Sequence, residues 1–285
     1  RHAQKAGEPC LTLGYNTAIF CTLLRMARLP NVINMDGIEW QRAKWGAGPK
    51  AWFYLNEWAG AWLGNHLVAD HPEIKVHLSR RTSPERITVI PYGAEDIRSA
   101  DTAPVTALGL EPGRYLSVIA RAEPENSLLE IVEGFSRKPR GMKLAVLGKY
   151  EDSNAYHQAV KAAAGNEVMF LGAIYDKKVV QALRFHSAAY VHGHQVGGTN
   201  PSLVEALGAG NAVIAHDNRF NRWVAGPGAA FFDGAAGFAT QLDAILADPT
   251  RLDSMRKASR ERFLAEFQWE KILSEYETLL LKYQK

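Results

Sequence analysis

Short apolar runs alternate with longer amphipathic stretches along most of the chain, and this alternation is typical of strands followed by helices. The apolar runs predict strands at 11–15, 31–36, 67–70, 87–92, 115–120, 143–148, 168–172, 188–194, 212–216 and 229–232. Helical spacing predicts helices at 126–137, 153–164, 176–186, 201–209 and 235–247, and two helices within 250–283 that meet near Phe267. Because strands separated by helices pair in parallel, the predicted fold class is α/β with doubly wound parallel sheets.

The segment 94–113 interrupts this alternation, since it is rich in Ala, Asp, Thr and Pro and has no clear period. We therefore expect a first domain at 1–95, a linker at 96–107, a second domain at 108–267 and a C-terminal helix at 268–285. The second domain has six predicted strands, whereas the first has four, which is few for a complete doubly wound sheet.

Length and composition narrow the class of protein. The 285 residues suit two domains, and 47% hydrophobic with 22% charged residues is typical of a globular protein rather than a disordered or fibrous one. No apolar run approaches the roughly 20 residues that cross a bilayer, and residues 1–10 lack the apolar core of a signal peptide. Two cysteines, Cys10 and Cys21, do not make a disulfide scaffold, so we expect a cytoplasmic protein. The net charge of +3 argues against a nucleic-acid partner.

Arg121 is the first candidate for anion binding, because it directly follows the strand predicted at 115–120. Doubly wound sheets bind ligands at the carboxyl ends of their strands, and a guanidinium there can hold a diphosphate through two charge-assisted hydrogen bonds. A surface ion pair with Glu123 or Glu125 is the alternative interpretation.

The segment 192–207 (HGHQVGGTNPSLVEAL) is the second candidate. Its glycines at 197–198 allow close approach of a ligand, and Asn200 and Pro201 predict the start of a helix, whose free amides attract anions. Glu205, about one turn further on, suits a bidentate hydrogen bond to ribose hydroxyls. A Gly-rich turn before a capped helix with a solvated glutamate is the alternative.

Three histidines in this region do not predict a metal site. His192, His194 and His216 have no Cys or carboxylate partner with matching spacing, so zinc is disfavoured. A Ser-His-Asp site is not supported either, because no G-x-S-x-G elbow occurs.

The string 34–45 (NMDGIEWQRAKW) follows a predicted strand and is the most distinctive in the chain. Carboxylates in it can accept hydrogen bonds from sugar hydroxyls, tryptophans can stack on a sugar ring, and basic residues can hold a phosphate. These residues are, in turn, Asp36 and Glu39, Trp40 and Trp45, and Arg42 and Lys44. A helix start capped by Asp36 with buried tryptophans is the alternative.

The aromatic stretch 51–63 (AWFYLNEWAGAWL) has helical spacing. Packing in the core is its expected role, and contact with a membrane interface is the alternative.

The second domain resembles retaining glycosyltransferases of family 4, whose GT-B fold has two Rossmann-like domains facing a cleft. The resemblance runs through Arg121-x-x-Pro-Glu, 143–148, Phe170-Leu-Gly, Leu-Val-Glu205-Ala-Leu-Gly-Ala-Gly, 212–215 and Phe267-x-Trp269-Glu270. It implies that Arg121 binds the donor diphosphate, that Glu205 binds the ribose, that amides of Gly198, Thr199 and Asn200 meet the phosphates and sugar, and that the backbone near Ala173 and Ile174 meets the base.

Two positions depart from the family pattern. The glutamate that usually stands eight residues before the second glutamate is Gly197 here, and the usual lysine near position 126 is Asn126. Asn126 is kept among the donor-binding residues, but one cation is missing from the expected diphosphate site. Lys149 is a candidate replacement.

Further motifs resemble a bacterial rhamnosyltransferase subgroup of this family, at 14–18, 34–45, 69–72, 91–94, 197–203 and 216–221. The resemblance implies transfer of rhamnose from dTDP-rhamnose to a saccharide or lipid-linked saccharide in surface polysaccharide synthesis. Asp36 would orient the acceptor, and Asn16 would touch the donor sugar. The subgroup's Gly-Gly loop after the first strand is not found in residues 1–30, so the first domain is expected to be incomplete at its N-terminus.

Arg121 and Asp36 are therefore the expected catalytic residues, and the nucleotide sugar is the donor substrate. No cofactor and no metal are expected, because cationic side chains and a helix dipole would hold the leaving diphosphate. Peripheral contact with the inner face of a membrane is expected for a lipid-linked acceptor. A mannosyl- or glucosyltransferase, a GT-B epimerase and a non-catalytic nucleotide-sugar-binding module remain alternatives.

Overall fold

A computed structural model describes residues 7–42 and 44–284. The chain divides into two compact units. The first consists of Arg1–Tyr92, Val196–Asn200 and Trp269–Lys285, and the second of Gly93–Gln195 and Pro201–Gln268. Residues 1–6, which belong to the segment 1–10 that was judged above to lack the features of a signal peptide, lie outside the described residues, as does Ala43.

A parallel sheet of four strands forms the centre of the described part of the first unit, in the order β1-β2-β3-β4. The strands are β1 (Cys10–Leu13), β2 (Asn31–Asn34), β3 (His66–Ala69) and β4 (Ile87–Val89). Every residue of the central strands β2 and β3 is buried, whereas the edge strand β1 exposes Leu11 and Leu13. A groove of about 890 Å³ with a mostly apolar lining runs beside that edge, between β1 and the C-terminal helix Trp269–Leu281.

In the described part of the first unit there are also the helices α1 (Cys21–Met26), α2 (Ala47–Leu63) and α3 (Pro72–Leu78). Short 3₁₀ helices lie at Ala18–Phe20, Glu39–Gln41 and Pro84–Arg86. The C-terminal helix packs Ile272 and Leu279 on Val32, Val68 and Ile90, which covers one face of the sheet.

The buried face of α2 differs from the expected aromatic core. Asn56, Glu57, Gly60 and Ala61 are buried, whereas the large side chains Trp52, Leu55 and Trp62 are exposed. The reason is that Glu57 takes the inner position, where Trp40, His77 and Arg81 donate to its carboxylate.

A six-stranded parallel sheet forms the centre of the second unit, in the order β10-β9-β8-β5-β6-β7. The strands are β5 (Tyr115–Ile119), β6 (Lys143–Leu147), β7 (Val168–Gly172), β8 (Ala189–His192), β9 (Ala212–His216) and β10 (Ala230–Phe232). The chain moves outward from β5 to β7 and then returns to place β8 on the other side of β5. This reversal creates a switch point between β5 and β8.

Helices α4 to α11 surround this sheet. They are α4 (Ala103–Ala107), α5 (Leu128–Ser136), α6 (Ala155–Ala162), α7 (Lys177–Phe185), α8 (Pro201–Gly208), α9 (Arg219–Ala225), α10 (Gly234–Leu246) and α11 (Pro249–Glu266), and the C-terminal helix is α12. Asn154, Asp176, Asn218 and Asp248 cap α6, α7, α9 and α11 by accepting hydrogen bonds from first-turn amides.

The segment expected as a linker at 96–107 is part of the second unit in the structure. Its end forms α4, and Val105 is fully buried with Leu110, Tyr115 and Leu183. Composition suggested a linker because a single buried valine gives the segment no detectable hydrophobic period. None of the described helices combines the length and the apolar character that a bilayer crossing requires.

Candidate functional site

The switch point of the second unit brings together the loops that follow β5 and β8. Gly193 follows β8, and a Cβ atom at this position would lie 2.0 Å from the carbonyl oxygen of Asn126. The two loops can therefore touch only because residue 193 is glycine. The Gln195 amide also donates to the Glu125 carbonyl oxygen at 2.9 Å, which holds the two loops in register.

Arg121 lies two residues beyond β5 and is exposed at the carboxyl edge of the sheet. Asn126 is buried, and its amide nitrogen donates to the Arg121 carbonyl oxygen at 2.8 Å. The structure therefore places Asn126 beneath the arginine, where it shapes the loop from inside. Its expected role as a donor-binding side chain is not visible in this contact.

Lys149 occupies the matching position on the neighbouring strand. The register pairs Ile119 of β5 with Leu147 of β6, so Arg121 and Lys149 each lie two residues beyond the paired positions. Neighbouring strands are about 4.8 Å apart, so the register brings the loops that carry these two cations to the same edge of adjacent strands. The side chain of Lys149 is 75% exposed and pairs with the exposed Glu151 at 2.8 Å.

Glu205 belongs to α8, whose first turn is fixed against the same edge. The Ser202 hydroxyl donates to the Ile119 carbonyl oxygen at 3.3 Å and lies 2.7 Å from the Tyr190 hydroxyl. Burial raises the pKa of Tyr190 to about 12, so the phenol stays protonated in this network. The Glu205 side chain remains 45% exposed.

The three histidines of this region include two whose pKa values are lowered by burial. The rings of His192 and His194 stack with centroids 4.4 Å apart, and burial together with the charge of His194 lowers the pKa of His192 well below its usual value. Burial also lowers the pKa of His216. Among the described residues, no group of three or more His, Cys, Asp or Glu side chains is placed to hold a metal ion. The expectation of a metal-independent site stays a prediction.

Ala173 and Ile174 directly follow β7, which is the edge strand of the second sheet. Ala173 is exposed, and Ile174 packs on the cluster around Leu183. The next residue, Tyr175, is 90% exposed, and the sequence reasoning missed it. The sequence offered one signal for Tyr175, since it is an aromatic residue three positions after Gly172, which ends β7.

In the first unit, Asp36, Asp70 and Tyr92 meet at the carboxyl edge of the sheet. Asp36 follows β2 and is exposed, whereas Asp70 follows β3 and is 1% exposed. Burial, and secondly the charge of Asp36, raises the pKa of Asp70 to about 7. Burial and both carboxylates raise the pKa of Tyr92. Asp70 was quoted only within a motif, although its place directly after a strand marked it as a site residue.

Asp70 also binds the glycine-rich segment 196–200, which groups with the first unit. The Thr199 amide donates to Asp70 Oδ2 at 2.8 Å, and the Thr199 hydroxyl donates to the Asp70 carbonyl oxygen. A Cβ atom on Gly198 would lie 2.2 Å from the Asp70 carboxylate. The Thr199 amide therefore contacts a protein carboxylate, which differs from the expected phosphate contact. Asn200, the next residue, is half-buried.

The remaining acceptor candidates are engaged by other side chains of the first unit. Glu39 accepts from Arg42 at 3.0 Å and from Trp45 at 3.1 Å. Burial by itself would raise the pKa of Glu39, but these hydrogen bonds outweigh it and the pKa is lowered. The Trp40 indole donates to the buried Glu57 at 2.9 Å, and Lys44 lies 4.6 Å from the centre of the Trp45 ring.

Asn16 is exposed on the loop after β1 in the first unit. Its carbonyl oxygen accepts a hydrogen bond from the Trp52 indole at 2.8 Å, which ties this loop to α2. No contact joins its side chain to the other predicted site residues among those that the structure describes.

The comparisons with known proteins agree with this geometry. The model of the family described as glycosyl transferases group 1 matches residues 108–262, which is more than half of the chain. The chain therefore belongs to this glycosyltransferase family. None of the curated protein sequences matches it.

Solved structures show the fold. Sucrose-phosphate synthase from Thermosynechococcus elongatus is 18% identical with a TM-score of 0.81, over 99% of this chain and 75% of that one. HepE from Anabaena in complex with UDP is 15% identical with a TM-score of 0.81, over 99% and 81%. HepE in complex with UDP-glucose has a TM-score of 0.79 at 15% identity, over 98% and 80%. The predicted α/β GT-B fold is confirmed.

Proposed function

We propose that this glycosyltransferase transfers rhamnose, with retention of configuration, from dTDP-rhamnose to a saccharide or lipid-linked saccharide acceptor of surface polysaccharide synthesis. The observation that carries the proposal is Arg121, which stands exposed at the switch point of the six-stranded sheet, with Lys149 in the loop after the neighbouring strand β6. The rhamnosyl donor rests on the motif resemblance described above.

The two cations supply what a departing diphosphate requires. Negative charge builds up on the leaving oxygen in the transition state, and preorganised cations at that point lower the barrier most effectively. Arg121 offers two parallel N–H groups, whereas Lys149 adds a compact charge in place of the lysine that the family has near position 126. Glu205 would bind the nucleoside sugar.

Ala173 and Ile174 would meet the base through their backbone, and the exposed Tyr175 ring offers a stacking surface beside them. HepE binds UDP and UDP-glucose in its crystals, which supports a nucleotide-sugar donor for a chain of the same fold.

The first unit supplies the acceptor residues in this proposal. Asp36 is exposed and would accept a hydrogen bond from the incoming hydroxyl. Burial, and secondly the charge of Asp36, raises the pKa of the nearby Asp70 to about 7, so Asp70 would be partly protonated at neutral pH. An oxygen of the leaving diphosphate would take the hydroxyl proton on the same face of the sugar, so no protein nucleophile and no metal are required. Gly198, Asn200 and Asn16 would line the sugar.

The test is a thermal-shift and product-release panel with dTDP-rhamnose, UDP-glucose, UDP-GlcNAc and GDP-mannose. We expect dTDP-rhamnose to stabilise the protein and to be hydrolysed slowly, and we expect Arg121→Ala and Glu205→Ala to lose both effects. Arg114→Ala is the matched control, because Arg114 is an exposed arginine at the amino end of the same strand. Stabilisation without any turnover would instead support a binding module.

A glucosyl donor is the second candidate, because the HepE complex with UDP-glucose shows that another protein of this fold holds that donor. The same panel separates the two candidates, since stabilisation by UDP-glucose but not by dTDP-rhamnose would replace the rhamnosyl proposal.

Peripheral membrane contact is proposed for the α2 face, which exposes Trp52, Leu55 and Trp62. Aromatic side chains of this kind insert at the bilayer interface, as a cytoplasmic enzyme on a lipid-linked acceptor would require. Trp62→Ser should reduce flotation with anionic vesicles, and Val76→Ser on α3 is the exposed control. Equal flotation of both variants and the parent would contradict this contact.

A further inference from the structure

A buried arginine lies directly behind Glu205 in the second unit. Arg184 is on α7, is 4% exposed, and its Nη2 atom lies 2.6 Å from Glu205 Oε2. The same nitrogen donates to the Ser202 hydroxyl at 3.0 Å. The Arg184 carbonyl oxygen accepts from the buried Asn211 side chain at 2.7 Å, which fixes the backbone of the arginine as well.

This pair differs from an ordinary surface ion pair. Exposed pairs contribute little because water screens both partners. Here the guanidinium is desolvated, and a buried charge without a partner is strongly unfavourable, so Glu205 is held firmly in one orientation. In that orientation Oε2 faces the buried Arg184, while the Glu205 side chain as a whole remains 45% exposed.

The orientation limits what the carboxylate can accept from a nucleoside. A bidentate contact with ribose uses both carboxylate oxygens, one for each of the 2′- and 3′-hydroxyls. Arg184 fills one of the two acceptor positions of Oε2 and turns that oxygen toward the interior, so Oε1 is the oxygen best placed for a sugar hydroxyl. A nucleoside with a single hydroxyl at this place would satisfy the site.

We infer that Arg184 is a positioning residue that fixes Glu205, and that the site thereby reads one hydroxyl of the nucleoside sugar and accepts 2′-deoxyribose. The inference rests on the proposed function, because it assigns the substrate class of the same site. It replaces the bidentate ribose contact expected from the sequence, and it provides a physical reason for a deoxythymidine diphosphate donor.

The experiment measures the dissociation constants of two matched ligand pairs by calorimetry. UDP and dUDP differ only in the 2′-hydroxyl, and we expect their affinities to agree within about threefold. The diphosphates of thymidine and 3′-deoxythymidine differ only in the 3′-hydroxyl. For this pair we expect about tenfold weaker binding without the hydroxyl, as for the loss of one charge-assisted hydrogen bond.

Variants then separate positioning from a merely structural role. In Arg184→Met, the ratio of the two dissociation constants for the 3′-hydroxyl pair should fall from about ten to about one. Glu205→Gln should also lower this ratio. The double variant should show no further loss of that preference, because the two residues act as one unit. Arg184→Lys should retain part of the preference for the 3′-hydroxyl. This variant keeps the positive charge and can be measured in place of Arg184→Met if the methionine variant does not fold.

Arg140→Met is the matched control. Arg140 is also a buried arginine of the second unit and pairs with Asp243, but it lies before β6 at the opposite edge of the sheet. It should lose thermal stability as Arg184→Met does and keep the full preference for the 3′-hydroxyl.

Two results would overturn the inference alone. One is UDP binding ten times more tightly than dUDP, which would mean that both hydroxyls are read. The other is a preference for the 3′-hydroxyl that survives in Arg184→Met and Arg184→Lys, which would make the arginine purely structural. If no nucleoside diphosphate binds the wild-type protein, the proposed function fails and the inference fails with it.

Discussion

Two charged motifs that follow strands, one in each unit, differ in how far their side chains remain open to solvent. At the carboxyl edge of the second sheet, Arg121 and Lys149 are exposed and Glu205 is half-exposed. In the first unit, Glu39 is bonded to Arg42 and Trp45 at the corresponding edge. The comparison teaches that a motif rich in charged and aromatic residues can be an open site or a packed support, and that only the contacts distinguish the two.

The cause lies in the sheets. The second sheet reverses its direction of winding between β5 and β8, so the loops that follow these strands leave a crevice. The described strands of the first unit progress in one direction, and the loop after β2 folds onto α2, where the buried Glu57 binds Trp40.

Gly193→Ala should cause the largest loss of stability, because it changes the contact between the two loops that border the crevice of the second unit. The new Cβ atom would overlap the Asn126 carbonyl oxygen, and overpacking against backbone typically costs about 1–3 kcal/mol. Chemical denaturation measures the loss. Gly237→Ala, on helix α10 with only ordinary contacts, is the control and should be neutral or stabilising. Equal stability of the two variants would show that the loops do not touch as described.

Lys149→Ala should weaken dTDP binding about tenfold, as expected for one charge-assisted contact with a diphosphate. Lys143→Ala is the control, since Lys143 begins the same strand at the opposite edge of the sheet. Calorimetry at two salt concentrations checks the result, because the difference should shrink at high salt. If Lys149→Ala bound dTDP with wild-type affinity, Lys149 would not replace the lysine that the family usually has near position 126.

Asp36→Asn and Glu39→Gln sharpen the comparison within the first unit. Asp36 is exposed, so its substitution should reduce transfer with little change in melting temperature. Glu39 is bonded on both oxygens, so its substitution should lower the melting temperature by a few degrees. If Asp36→Asn instead lowered the melting temperature and Glu39→Gln instead reduced transfer, Glu39 would be the acceptor residue and Asp36 the structural one.

Asp70→Asn should change the pH dependence of stability. The pKa of Asp70 rises from 3.8 to about 7 on folding, so its contribution to stability is present below about pH 4 and is lost as the pH rises to about 7. The variant should therefore gain stability relative to wild type between pH 5 and pH 8. Denaturation at both pH values measures this gain, and Asp101→Asn on the exposed surface is the control. If the difference in stability between the variant and the wild type did not change with pH, the pKa of Asp70 would not be raised by burial and its carboxylate would be in contact with water.

Most elements could be predicted from the sequence because strands and helices have distinct periods. Val168–Gly172 and Ala212–His216 have the predicted bounds, and the final two helices meet at Phe267 as expected. The α4 helix was missed because five residues within a Pro- and Ala-rich segment carry too short a period.

The candidate site was less predictable, because it depends on pairs that are distant in sequence. Arg121 was a candidate because it follows a strand, and Glu205 because it lies about one turn into a helix that follows a glycine-rich loop, and their roles stay predictions. The Arg184–Glu205 pair and the burial of Asp70 under Thr199 depend on tertiary packing, for which the residue pattern holds no signal. Their discovery required the register of β5 with β8 and the course of the loop after β8.

The most direct test of the account compares Arg121→Ala with Arg114→Ala in binding to dTDP-rhamnose and dTDP by calorimetry. The two arginines flank the same strand, and only Arg121 lies at the carboxyl edge of the sheet. The account predicts that Arg121→Ala loses at least tenfold in affinity for both ligands while Arg114→Ala binds like the wild type. Equal affinities for the two variants would contradict the assignment of the donor site to the switch point.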